Sequence, residues 1–225
     1  MNIRRPLIVA LTLGAAMACL SLAAAAVLPA TVPLRFNAHG VPTAYGSAYM
    51  PLALMPLVAL ALSALCVALA RSEPRRDNLA ASSFAYSTRW IGATGLIAAI
   101  HVWIVYTLVT TVRGAAPLDP TRLVFALVGV MIAIVGSQLA KVRSNFMIGI
   151  RTPWTLADDR VWERTHRLAR WPVMLAGAAI LIAALAAPAA MLLTVTSTVI
   201  ITVSIGLVVL SYMLWRGRNG HRAGA

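Results

Sequence analysis

Six apolar runs, each long enough to cross a lipid bilayer, constrain this chain more than any other feature. They cover residues 7–28, 50–70, 91–112, 122–140, 172–187 and 190–214. A helix of about 20 residues, rising about 1.5 Å per residue, spans roughly 30 Å of hydrocarbon. Only 11% of the residues are charged, against about 25% in soluble domains. The sequence therefore predicts an all-α polytopic membrane protein with six transmembrane helices, of which Pro188 separates the last two.

The positive charges predict the orientation of these helices. Of the 19 Lys and Arg residues, sixteen lie before the first run, after the last run, or in the second and fourth connections. Because positive residues concentrate on the cytoplasmic side, both chain ends are predicted to lie in the cytoplasm. The net charge of +13 is then explained by topology, and we predict no nucleic-acid partner and a multi-pass protein of the cytoplasmic (inner) membrane.

The first run has a second interpretation. Arg4 and Arg5 followed by an apolar stretch and an alanine-rich segment also describe a cleaved signal peptide, which would leave five spans. We predict a retained helix because the run is long for a signal peptide. The chain then forms one integral membrane domain over residues 1–225, with two spans in 1–70, two in 71–140 and two in 141–225.

Two connections are longer and richer in turn formers than the others. The outer loop, residues 29–49, alternates prolines with Asn and Gly residues, which predicts a compact and ordered turn structure outside the cytoplasm. Such a loop could be a lid packed across helix ends or a binding surface for an external partner. We name Asn37, Gly40 and Pro42 as its candidate partner-binding residues.

The motif loop, residues 141–171, is the second of these connections. Thr155 and Asp158 resemble a capping box, and they predict a helix that begins near Leu156. Its apolar face and its arginine-rich face predict an amphipathic juxtamembrane helix, which could simply anchor the loop at the bilayer surface. The segment before it combines an arginine and a tryptophan with turn residues, which is suited to binding a partner. The candidate partner-binding residues are Asn145, Gly149, Arg151, Thr152, Pro153, Trp154, Thr155, Trp162, Thr165 and His166.

The motif loop resembles the signature of the SdpI family. The resemblance lies in NFMIGIRTPWT from Asn145 to Thr155, followed by VWERTHR from Val161 to Arg167. Pro33, the Phe36-Asn37 pair, Gly40 and Pro42 match the outer-loop pattern of that family, while Arg35, Thr43 and Ser137 depart from the usual residues. The resemblance implies a multi-pass bacterial protein that gives immunity to a secreted peptide or protein toxin outside the cell. It also implies a regulator protein as a possible partner inside.

Within the predicted spans, His101 is the titratable side chain that lies deepest. An ionisable residue at this depth is a candidate for function, although a neutral histidine bonded to a nearby hydroxyl or carbonyl is the simpler interpretation. The stripe formed by Thr194, Thr198 and Thr202, and the pair Gly129 and Gly136, predict close packing between helices.

The sequence offers little sign of catalysis. The four histidines are far apart, and the metal-binding and nucleophile motifs that we searched for are missing, so we predict no catalytic residue, metal or cofactor, and no enzyme. Three functions stay open: an immunity or signalling protein that captures a partner, a small transporter or channel that uses His101 and the polar stripe of the last helix, and a subunit that stabilises a larger complex.

Overall fold

The computed structural model describes residues 3–36, 42–115 and 119–223. It confirms the predicted fold class, since six of its helices are long and apolar enough to cross a membrane. Helices suit these runs because lipid offers the backbone no hydrogen-bond partners, so each N–H and C=O must pair within its own segment. The six are α1 (Arg4–Ala25), α2 (Tyr49–Ser72), α4 (Ser83–Val112), α5 (Thr121–Gln138), α7 (Asp159–Ala186) and α8 (Ala189–Ala223).

Shorter elements lie between the long helices. They are β1 (Thr31–Phe36), β2 (Pro42–Ser47), α3 (Arg76–Ala81), α6 (Pro153–Ala157) and a turn of 3-10 helix at Leu139–Lys141. The contacts divide the chain into two compact units. The hairpin unit comprises Arg4–Cys66 and Trp90–Pro120, and the motif unit comprises Met1–Ile3, Val67–Arg89 and Thr121–Ala225. The single domain that we expect from the sequence stays a prediction.

In the hairpin unit, the outer loop forms an antiparallel β-hairpin. Thr31 pairs with Ser47, and Val32 pairs with Gly46. Val32 is fully buried in an apolar cluster with Ala24 of α1, Leu52 of α2, and Val105 and Leu108 of α4. The prediction of an ordered structure is confirmed for the described part of the loop. The structure is a pair of strands, however, which the alternation of prolines with Asn and Gly residues did not indicate. The hairpin packs on helix ends as a lid would.

In the motif unit, glycines allow α5 and α7 to approach closely. A Cβ atom built on Gly129 would lie 2.7 Å from the backbone nitrogen of Leu181, and one on Gly136 would lie 2.6 Å from that of Met174. Gly177 of α7 likewise contacts the backbone of α5 at Ala133. Small residues drive helix association in lipid because they let backbones pack together. The predicted packing role of Gly129 and Gly136 is confirmed.

Two predictions about helices need correction. Thr194, Thr198 and Thr202 are exposed on α8, so the prediction that they pack against another helix of this chain is wrong. The buried side of α8 instead includes Leu192. Because an α-helix turns about 100° per residue, the three threonines lie on the opposite side of α8.

The second correction concerns the amphipathic helix of the motif loop. This stretch is helical as predicted, but it is continuous with the fifth span inside α7, which passes through Pro172. The capping box is formed by Thr152 and Thr155, and not by Thr155 and Asp158 as predicted. Asp158 starts α7 separately, because its carboxylate accepts the N–H groups of Arg160 and Val161. The prediction that a helix starts near Leu156 is therefore wrong, because α6 begins at Pro153 and α7 begins at Asp159.

Candidate partner-binding site on the motif loop

Asn145 fixes the first turn of the motif loop. Its Oδ1 atom accepts the backbone N–H groups of Met147 and Ile148, each at 2.8 Å. Its Nδ2 atom donates to the carbonyl of Arg143 at 2.7 Å. The side chain is fully buried, and both its oxygen and its nitrogen are hydrogen-bonded. It therefore stabilises the loop conformation and is not accessible to a binding partner.

Two residues of the α2–α3 connection stabilise this turn, and neither was among the predicted site residues. Glu73 is 1% exposed, and its carboxylate accepts the N–H of Phe146 at 3.1 Å and that of Arg75 at 3.0 Å. Arg75 donates to Ser144 Oγ and, at 2.8 Å, to the carbonyl of Leu156. The only available signal was an acid and an arginine directly after an apolar span.

Gly149 meets the first turns of α7. Its φ of 123° is accessible to glycine and strained for other residues. A Cβ at this position would lie 2.5 Å from His166 Nε2 and 2.8 Å from the ring of Trp162. Ile150 donates its N–H to His166 Nε2 at 2.8 Å, so this nitrogen is the acceptor and Nδ1–H donates to the carbonyl of Trp162 at 2.9 Å. His166 is therefore a neutral structural residue here.

Trp162 and Thr155 complete the internal packing of the loop. The indole of Trp162 donates to the carbonyl of Val142 at 2.8 Å and stacks on the His166 ring with centroids 4.0 Å apart. Thr155 donates its hydroxyl to the carbonyl of Ile150 at 2.8 Å. These side chains and Thr165 are buried, so they connect the loop to α7 and offer little surface to a partner.

Trp154 attaches the loop to α8. Its Nε1–H donates to Ser211 Oγ at 2.8 Å. Its ring packs edge-on against Tyr212, with centroids 5.4 Å apart, and lies 6.4 Å from that of Trp215. Aromatic residues of this type gather at membrane interfaces, where one edge is apolar and the other is hydrated.

Between Asn145 and Thr155, three residues of the motif loop are exposed, and we call them the exposed patch: Phe146, Arg151 and Pro153. Phe146 is 38% exposed, and Arg151 and Pro153 are exposed as well. Arg151 donates to the carbonyl of Phe146 at 2.5 Å. The guanidinium of Arg75 lies 5.1 Å from the Phe146 ring centre. Arg151 is thus joined to the backbone of Phe146, and exposed Pro153 follows it by two residues, with Thr152 and Trp154 half-buried.

The other candidate residues lie in the hairpin unit. Asn37 and Gly40 fall outside the described residues, and Pro42 is half-buried at the start of β2. His101 is fully buried, and its Nε2 atom lies 3.1 Å from both Ser21 Oγ and the carbonyl of Met17. Its Nδ1 atom has no hydrogen-bond partner within the described ranges. No group of three or more potential metal ligands occurs in the part of the chain that the structure describes.

Comparison with known proteins adds to this geometry. Residues 141–215 match the SdpI/YfhL protein family, and residues 12–60 match a domain of unknown function (DUF1648). The immunity protein SdpI of Bacillus subtilis (strain 168) is 33% identical over 103 residues, or 42% of this chain. These matches show that residues 141–215 are similar to the SdpI family. The match spans 45% of the length of that relative, and no solved structure shows significant similarity.

The match to residues 141–215 covers the whole motif loop, all of α7, and α8 as far as Trp215. The internal bonds of Asn145, Trp162 and His166 therefore belong to the segment that carries the family likeness. This likeness and the six candidate spans support a multi-pass membrane protein that is similar to an immunity protein.

Proposed function

We propose that this protein protects the bacterial cell that makes it against a secreted antimicrobial toxin, and that it acts from the cytoplasmic membrane. The observation that carries the proposal is the match of residues 141–215 to the SdpI/YfhL family. A relative named as an immunity protein adds support. In the proposed orientation, both chain ends and the motif loop lie in the cytoplasm, because the arginines concentrate in those segments.

Survival under toxin challenge tests this proposal. Cells that lack the gene should lose viability when they are mixed with related strains that secrete killing peptides, and a plasmid copy should restore it. A Bacillus subtilis strain without its own SdpI, expressing this chain, provides a second host. If deletion and overexpression both leave survival unchanged against all the producing strains, the immunity function is wrong for this protein.

We further propose that the exposed patch captures a regulator protein on the cytoplasmic side. The patch suits this task because the buried residues around it fix its shape, so that binding costs little conformational entropy. Arginine and aromatic side chains are also the usual energetic centres of protein interfaces. Phe146 and Arg151 supply these two chemical types, and a hydrogen bond joins the two residues.

Two substitutions test capture by the exposed patch. Arg151→Ala removes the accessible cation, and Phe146→Ala removes the ring, and each should weaken partner recovery at least tenfold, as is usual for central interface residues. Arg167→Ala is the control, since it removes an exposed arginine of the same loop outside the patch. Crosslinking of partner in intact cells, normalised to membrane accumulation, provides the measurement. Normal capture by both patch variants would exclude this surface.

The outer loop is the proposed contact for the toxin. Tyr45, Tyr49 and Met50 expose more than half of their surface beside the hairpin, and large accessible apolar side chains are typical of binding surfaces. Tyr45→Ser should therefore lower protection while partner capture inside the cell is unchanged. Loss of both activities together would indicate a general defect rather than a toxin contact.

Transport is a second candidate, favoured by polar atoms along α4. Trp103, Thr107 and Thr111 recur at four-residue spacing, and each has a buried polar atom without a partner among the described residues, as does His101. The exposed threonines of α8 do not contribute to such a path. Reconstituted vesicles should then show a proton or ion flux that His101→Ala abolishes. A wild-type flux no greater than that of empty vesicles would exclude transport.

A further inference from the structure

A cleft at the arginine-rich end of α7 and α8 has the features of an anion site. Its volume is about 490 Å³, and Arg160 and Arg164 of α7 line it together with Arg218 of α8. Val161, Met213, Leu214 and Gly217 complete its walls. The cleft thus combines three cations from two helices with an apolar lining, and neither the immunity function nor the exposed patch uses it.

The arginines of the cleft differ in their partners. Arg218 is fixed by Asp158, with Nη1 at 2.9 Å from Oδ1. Arg160 and Arg164 lie one turn apart and are exposed, and neither has an ion-pair partner among the described residues. Like charges around one opening repel each other, and a bound anion removes that repulsion. Guanidinium groups bind phosphate oxygens through paired hydrogen bonds, which makes phosphate the best match.

The surroundings of the cleft indicate where the phosphate comes from. Met213 is 65% exposed and continues the apolar outer surface of α8. Tyr212 and Trp215 lie at the same level of α8 and pack together, with ring centroids 5.8 Å apart. Such aromatic residues mark the depth of lipid headgroups. A headgroup in the cleft would therefore place its acyl chains along Met213, within the bilayer.

We propose that this cleft binds the phosphate of an anionic lipid headgroup, held by Arg160, Arg164 and Arg218. Basic pockets between membrane helices are known to take such headgroups. Gly217 keeps the opening clear, since a Cβ built there meets nothing within 4 Å. The bound lipid would connect the first turns of α7, and with them the motif loop, to the last turns of α8.

Native mass spectrometry of the full-length protein in detergent tests this proposal. The protein is titrated with phosphatidylglycerol or phosphatidylcholine, and bound lipid is counted. Wild-type protein should retain phosphatidylglycerol preferentially, and the double variant Arg160→Gln/Arg164→Gln should lose about fivefold in affinity for each arginine removed. Gly217→Leu should block the cleft without changing the charge.

Matched controls separate the cleft from general effects. Gly206→Leu adds the same side chain to α8 at a position that is also open, and Arg167→Gln removes an arginine outside the cleft. Both should bind lipid as the wild type does. Equal retention of the two lipids, or unchanged retention in the cleft variants, would overturn the proposal. Displacement of phosphatidylglycerol by millimolar inorganic phosphate would uphold a phosphate site but overturn the lipid as its source.

Discussion

Replacing Gly149 by alanine is the sharpest test of how the motif loop is stabilised. The new Cβ would meet His166 Nε2 at 2.5 Å and the Trp162 ring at 2.8 Å. Both rings are buried and hydrogen-bonded, so neither can move without breaking a bond. A φ of 123° adds strain of about 1–3 kcal/mol for a residue other than glycine. Overpacking adds about 1–3 kcal/mol, so we expect a loss of about 2–6 kcal/mol.

Thermal unfolding in detergent provides the measurement for this prediction. A loss of that size corresponds to a fall in Tm on the order of 10 °C for a chain of this length. Gly114→Ala is one control, because Gly114 has a φ of 87° but open space around its Cβ, and it should show the backbone strain alone. Gly206→Ala has neither problem and should be neutral or slightly stabilising. If the Tm of the Gly149→Ala protein equalled that of the Gly206→Ala protein, the argument for the packed loop would be refuted.

Three further substitutions probe the same unit. Gly177→Val should lower the Tm in detergent and reduce membrane accumulation, because its side chain would enter the backbone of α5; unchanged accumulation would contradict the close packing. Trp154→Phe should cost about 1 kcal/mol, the value of its bond to Ser211, and a larger loss on Trp154→Ala in the same melting assay would separate packing from hydrogen bonding. Glu73→Gln should weaken the charge-assisted bonds to the Phe146 N–H and speed proteolysis of the motif loop, whereas an unchanged cleavage rate would argue against this contact.

The transmembrane helices could be predicted because lipid imposes one solution on long apolar runs. Pro188 was enough to place the break between α7 and α8, since these helices end and begin at Ala186 and Ala189. Gly129 and Gly136 likewise indicated close helix packing, because small residues at heptad spacing share one helix face, but only the structure identifies α7 as the partner.

The candidate site could be predicted only in part. Helical periodicity predicted an apolar face made of Val161, Trp162, Thr165, Leu168 and Ala169, and all of these except Leu168 are buried. It could not tell whether lipid or protein covers that face, and the loop itself covers Trp162 through Val142. Glu73 was missed because its partner, the N–H of Phe146, lies 73 residues away in sequence. No local pattern encodes such a pairing.

The position of the motif loop relative to the membrane is the claim on which the proposed function depends most. A variant without Cys19 and Cys66 that carries Arg151→Cys can be treated with a membrane-impermeant maleimide, with Tyr45→Cys as the outer-loop counterpart, since both positions are exposed. The proposed topology predicts that intact cells label only the Tyr45→Cys protein and that inverted vesicles label only the Arg151→Cys protein. Labelling of the Arg151→Cys protein in intact cells would contradict it.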